Sequence, residues 1–258
     1  MSGSRARWSA FLQKVSQRAD EILAEAEPGF DELISMEVLD PVPLSSALTE
    51  FHARMLGLEK KIDDSWEKID AELDEPAARD ELYAAGQKVK KSIARRSKVL
   101  QVQKQAKAAH AIWELAKTEM AKVKASTRCS QCGAPIGVTV FHEASNVTCG
   151  HCKAVSVVRP GMATLMFFQG VCLHALGEEA ALEESARLDE AVERYQGKRS
   201  KRKADVDAWV AAHRKYWLVY ARGYGTHVPG FDEEKAKAMA EAKLGWLKLE
   251  LESTRTVD

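Results

Sequence analysis

The sequence predicts a mainly α protein: a long antiparallel, coiled-coil-like helical hairpin and a C-terminal helical bundle, with a small β module inserted between them. Three observations carry this reading. Apolar residues recur at helical spacing over most of the 258 residues, acidic and basic residues are segregated into successive segments, and four of the five cysteines form two C-x-x-C pairs. The expected domain limits are 1–126 for an N-terminal helix and the hairpin, 127–160 for the cysteine module, and 161–258 for the bundle.

Residues 5–26 place Trp8, Phe11, Leu12, Val15, Ala19, Ile22 and Leu23 on one side of a helix, which Pro28-Gly29 is expected to stop. Residues 30–43 then read as a connector ending in Asp40-Pro-Val-Pro43, which cannot be helical throughout. The cleanest periodicity comes next: Leu48, Phe51, Met55, Leu58, Ile62, Trp66, Ile69 and Leu73 fall within an arc of about 80° on a helical wheel. Such a seam must face a partner helix. Asp74 suits a cap and Pro76 the first turn of a new helix, and no proline interrupts Ala77 to about Ala125. One helix of roughly 70 Å is therefore expected at about 1.5 Å per residue. Its apolar stripe shifts. Leu82, Val89, Ile93 and Leu100 share one face, whereas Val99, Val102, Ala106, Ala109, Trp113 and Met120 share another, so the helix bends or changes packing partner near Gln101–Gln105.

Net charge is zero, but residues 1–81 hold 9 Lys/Arg against 19 Asp/Glu, residues 82–160 hold 14 against 3, and residues 161–258 hold 15 against 16. Lys88, Lys91, Arg95 and Lys98 form a row opposite the first stripe, and no acid lies between Leu82 and Trp113. Regular rows of bases can follow phosphates. The alternative is intramolecular: the acidic helix bearing Glu59, Asp63, Glu67 and Asp70 folds back on the basic one and matches its charge.

Cys129-Ser-Gln-Cys132 and Cys149-Gly-His-Cys152, sixteen residues apart, have the spacing of a tetrahedral zinc site in which each turn presents two thiolates. With four sulfurs and no open position, the expected ion is one structural Zn2+ and not a catalytic one. Such a site can supply roughly 10–16 kcal/mol of apparent binding free energy to a segment too small for a core of its own. A redox dithiol pair and a disulfide framework are the rivals, both disfavoured in a long chain poor in cysteine. Ile136–His142, Asn146–Thr148 and Ala154–Val158 read as short strands around the pairs. His151 is expected to be exposed, and Cys172 to be a buried small hydrophobe.

The run Cys129-x-x-Cys132-Gly-Ala-Pro-Ile-x-Val, then Val147-Thr-Cys149-x-His-Cys152-x-Ala-Val, resembles a prokaryotic four-cysteine zinc ribbon. The resemblance covers about 35 residues. It implies a metal-stapled β-ribbon and little about partner or activity, because that module serves many roles.

Beyond it, Met162–Leu176 is apolar enough to be the main buried helix, continuing as an acidic, amphipathic piece to Tyr195. Gly197 ends it, and the basic run of Lys198, Arg199, Lys201, Arg202 and Lys203 comes after as a second candidate anion site. Residues 204–222 form a helix whose Trp209, Tyr216, Trp217 and Tyr220, with Tyr224 beyond, either stack bases or, more simply, build core. Gly223–Gly230 reads as a loop, and Asp232 caps a last helix, Glu233–Leu251.

The sequence lacks G-x-x-x-x-G-K-[ST], G-x-G-x-x-G, H-E-x-x-H and G-x-S-x-G, and its seven histidines are scattered singly. No signal-peptide run or membrane-length apolar segment occurs, which points to the cytoplasm. The expected function is non-catalytic: a zinc-stabilised helical scaffold or adaptor that binds protein partners or itself. The alternative is nucleic-acid binding by the basic segment 82–128 and the run 198–203. No small-molecule substrate is evident.

Overall fold

A computed structural model describes residues 2–169, 171–197, 201–247 and 256–257. Helices dominate it: α1 (Ser2–Met36), α2 (Pro41–Asp70), α3 (Pro76–Ser126), then β1 (Ser145–Thr148) and β2 (Val155–Val158), followed by α4 (Met162–Gln169), α5 (Cys172–Ala180) and α6 (Leu182–Gln196). β3 (Lys201–Arg202), α7 (Lys203–Gly225), α8 (Glu233–Lys243) and β4 (Thr256–Val257) complete the order. β1 and β2 pair antiparallel, Ser145 opposite Val158 and Thr148 opposite Val155, while β3 and β4 form a two-residue parallel pair. No described helix is long and apolar enough to cross a membrane. The chain divides into two compact units, Met1–Lys104 and Gln105–Asp258.

In the first unit α1, α2 and the start of α3 share one apolar core: Trp8, Ile22 and Phe30 from α1, Phe51, Met55 and Ile62 from α2, and Leu82, Ile93 and Leu100 from α3. Asp63 pairs with Lys90 at 2.5 Å, and His52 Nδ1 lies 3.4 Å from Gln101 Nε2, so α2 and α3 run antiparallel. The Leu48–Leu73 seam faces two helices, Trp66 tilting against Trp8 of α1 at 5.6 Å and against Tyr83 of α3 at 5.4 Å, while Trp8 Nε1 donates to the Leu82 carbonyl at 2.8 Å and its ring occupies the space a side chain at position 86 would need.

The first helix departs from expectation, running through Pro28-Gly29 to Met36. An interior proline costs about 3 kcal/mol. Continuing buries Phe30 and Ile34, each contributing about 1.5–3 kcal/mol, and sets Phe30 edge-on to Phe51 at 5.6 Å. It also brings Asp31 within 2.7 Å and Glu27 within 3.3 Å of the buried Lys104 amine. Packing outweighs the local break. The Asp40-Pro-Val-Pro43 stretch starts α2: Asp40 accepts from the Val42 N–H at 3.0 Å, and Pro41 takes the first helical position.

The shift in the stripe of α3 marks a change of partner. Beyond Lys104, Ala106, Ala109, Ile112 and Ala116 are buried in the second unit, where Trp113 tilts against Phe167 at 4.7 Å. The apolar helix expected over 162–195 is instead three helices, interrupted between Gln169 and Cys172 and at Ala181. The break at Ala181 lets both α5 and α6 lie along α7. Contact there is close: the Tyr220 ring lies 2.8 Å from where a Cβ on Gly177 would stand, and the Leu176 carbonyl 2.7 Å from where one on Gly223 would. Trp209, Tyr216 and Tyr220 are buried, so these aromatics build core. Asp232 caps α8 by accepting from the Lys235 N–H at 2.9 Å; α8 ends at Lys243, helical backbone resumes over 245–247 after Leu244, and residues 248–251 lie outside the described residues.

Candidate metal centre

Two turns of the same construction hold the four cysteines. In the first, the Cys129 N–H donates to the Ala134 carbonyl at 2.8 Å, and the Gly133 N–H donates back to the Cys129 carbonyl at 2.9 Å. In the second, Cys149 bonds to Ala154 at 2.8 Å and Lys153 to Cys149 at 3.1 Å, the same pattern twenty residues on. Each turn passes through the left-handed region at the residue after its second cysteine, Gly133 at φ +70° and Lys153 at φ +64°. Glycine takes this conformation freely; Lys153 is accommodated there with its ammonium donating to the Gly150 carbonyl at 3.2 Å.

The flanks differ. β1 and β2 lead in and out of the second turn, whereas the first is closed by a bridge between Arg128 and Pro135 and by the Ile136 N–H on the Thr127 carbonyl at 3.1 Å. Ile136–His142, expected as a strand, has no ladder partner among the described residues. It keeps a strand's alternation, with Ile136 and Val138 buried and Gly137 and Thr139 exposed. Ile136 packs with Cys129 and Cys149, with Val147 and Ala154 beside them.

The turns bring all four Sγ atoms within 4.8 Å of one another, Cys129 to Cys152 at 3.5 Å and Cys132 to Cys149 at 3.7 Å. Backbone N–H groups aim at the sulfurs. Those of Cys132 and Gln131, with the neighbouring thiols, pull Cys129 down to about 6, and those of Cys152 and His151 lower Cys149. Cys152 moves the other way: the Ala154 N–H lowers it, but the crowd of Cys132 and Cys129 sulfurs prevails and pushes it up to about 12. Four thiolates this close repel one another, and a central cation is what allows all four to ionise together. The cluster can hold a metal ion. His151, between the second pair of cysteines, is exposed as expected. Cys172 is buried elsewhere, its thiol raised to about 11 by that burial.

One residue that sequence reasoning passed over anchors the chain just beyond the module. Glu119 on α3 accepts from the Ala163 N–H at 3.2 Å and from the Thr164 N–H and hydroxyl at 2.9 and 3.0 Å, capping α4 with a carboxylate. Its signal was present: Glu119 is one of three acids in residues 82–160.

Lys88, Lys91, Arg95 and Lys98 all lie exposed on α3. Their neighbours are drawn inward: Lys90 to Asp63, Arg96 to Asp20, and Lys104 to Glu27 and Asp31. In the second run Lys198 and Arg199 lie outside the described residues, Lys201 is described only through its backbone in β3, Arg202 reaches Asp205 at 3.5 Å, and Lys203 is exposed. Compared with the profiles of protein families, with curated proteins and with solved structures, the chain matches none.

Proposed function

We propose that the four cysteines bind one zinc ion and that the protein is a non-catalytic, zinc-stabilised helical scaffold whose charged helical surfaces recruit protein partners or a second copy. The observation that carries this reading is the cluster of four sulfurs, all within 4.8 Å of one another. Zinc–sulfur bonds of about 2.3 Å give tetrahedral edges of about 3.8 Å, against 3.5 and 3.7 Å for the closest pairs here. Cys129, Cys132, Cys149 and Cys152 would all be ligands, leaving no position for a reacting water, and the ion would act as a staple. The two turns and the 35-residue pattern around them support a zinc ribbon. The charge-matched contact of α2 with α3 supports a coiled-coil-like arm. The test is metal dependence of folding: chelation should abolish the melting transition of the second unit, and an unchanged transition would contradict the proposal.

A second reading, binding of nucleic acid, is favoured by the solvent-facing row Lys88, Lys91, Arg95 and Lys98. Phosphate contacts by Lys88, Arg95 and Lys98 predict that the logarithm of affinity falls with the logarithm of salt at a slope of about −2.7. Reversing Lys88, Arg95 and Lys98 to Glu should abolish the binding; a retained, salt-insensitive complex would contradict this reading.

A further inference from the structure

The first unit carries a groove of about 490 Å3 between the C-terminal half of α1 and the N-terminal half of α2. It is lined by the small residues Ala26, Gly29 and Ala47 and by the buried Phe30 and Phe51, together with Leu33 and the largely exposed Met36. Nothing stands within 4 Å of where a side chain at Gly29 would begin. Lining positions on α1 recur three to four residues apart, the spacing with which one helix receives another.

The rim is acidic. Glu25, Glu32 and Glu50 border the groove with one base, Arg54, which Glu25 engages at 2.7 Å. From Asp20 to Glu50 the sequence holds nine Asp/Glu and no Lys or Arg, with Arg96 engaging Asp20, Lys104 engaging Glu27 and Asp31, and Arg18 and Arg54 engaging Glu25. An anionic rim around an apolar floor repels phosphates and acidic lipid surfaces. It complements a helix with apolar residues along one face and Lys or Arg beside them. The basic row of this chain's own α3 has no apolar anchors between its charges, so a second copy offers a poor fit.

We propose that this groove is a docking site for a cationic amphipathic helix of a partner protein. The inference extends the adaptor reading to a named surface. The groove draws on none of the cysteines, so the metal test and this one succeed or fail separately.

The experiment uses the full chain and a fluorescein-labelled peptide of about 18 leucines and lysines patterned as an amphipathic helix, read by anisotropy. A scrambled peptide of the same composition serves as comparison. The patterned peptide should bind at least tenfold more tightly than the scrambled one. Gly29→Leu, which adds a side chain to the groove lining where space is open, should weaken binding at least tenfold while its melting temperature holds or rises; Glu32→Lys with Glu50→Lys should weaken it comparably. Equal binding of the two peptides, or undiminished binding by a folded Gly29→Leu variant, would overturn the proposal. So would a native dimer that Gly29→Leu dissociates, because the occupant would then be a second copy.

Discussion

Lys153 and Gly133 occupy equivalent places in the two cysteine turns, yet only one is a residue suited to a positive φ. Left-handed backbone costs a side-chain-bearing residue about 1–2 kcal/mol, and the single hydrogen bond from the Lys153 ammonium to Gly150 is exposed. Lys153→Gly should therefore raise the melting temperature of the metal-loaded protein, by the equivalent of about 1 kcal/mol; a fall would mean that the ammonium contact outweighs the strain. A second prediction belongs to His213, buried edge-on to Trp209 and Trp246, with its Nδ1 unpartnered. Burial depresses its pKa, and His227, stacked on Trp113, is depressed by burial and by the charges of His110 and Lys117. With folded values below the unfolded value of about 6.5, the stability from keeping these rings neutral is present above that pH and is lost as pH falls through the folded values. Melting temperature should drop from pH 7 to pH 5, and His213→Phe should flatten the slope; equal slopes for wild type and variant would show that His213 plays no part.

At the scale of elements, periodicity spoke where burial was strong. The seam from Leu48 to Leu73 and the shifting stripe of α3 were legible because their apolar positions are buried or packed against the core, and the shift falls where α3 passes from one unit to the other. The end of α1 was not legible, because the break at Pro28 is overridden by the contact of Phe30 with Phe51 and of Glu27 with Lys104, partners 21 and 77 positions distant in the chain, which no local window sees. The break between α5 and α6 was hidden for the related reason that both pack along α7. Pro28→Ala restores a backbone hydrogen bond within a helix already held by packing, so it should stabilise the first unit by about 1–3 kcal/mol in urea unfolding. A loss of stability would indicate that the proline shapes a bend the core needs.

Across the whole molecule, the charge segregation visible in the sequence resolves into two parts. Arg79, Lys90, Arg96 and Lys104 meet acids of α1 and α2 inside the first unit. The row from Lys88 to Lys98 stays at the surface, as does the acid-rimmed groove on α1 and α2. The first unit thus presents a basic row and an acid-rimmed groove, the two surfaces on which the proposed roles draw. The four cysteines were legible by spacing alone, whereas the exchange of carbonyl and N–H bonds that makes the two turns equivalent was not, since Lys153 hides the repeat of Gly133.

The proposed staple is tested most directly by the zinc content of the purified protein, measured for wild type and for the Cys129→Ser, Cys149→Ser double variant. One zinc per chain in the wild type and none in the variant is the expected result. A wild-type protein without stoichiometric zinc, or a variant that retains it, would contradict the account.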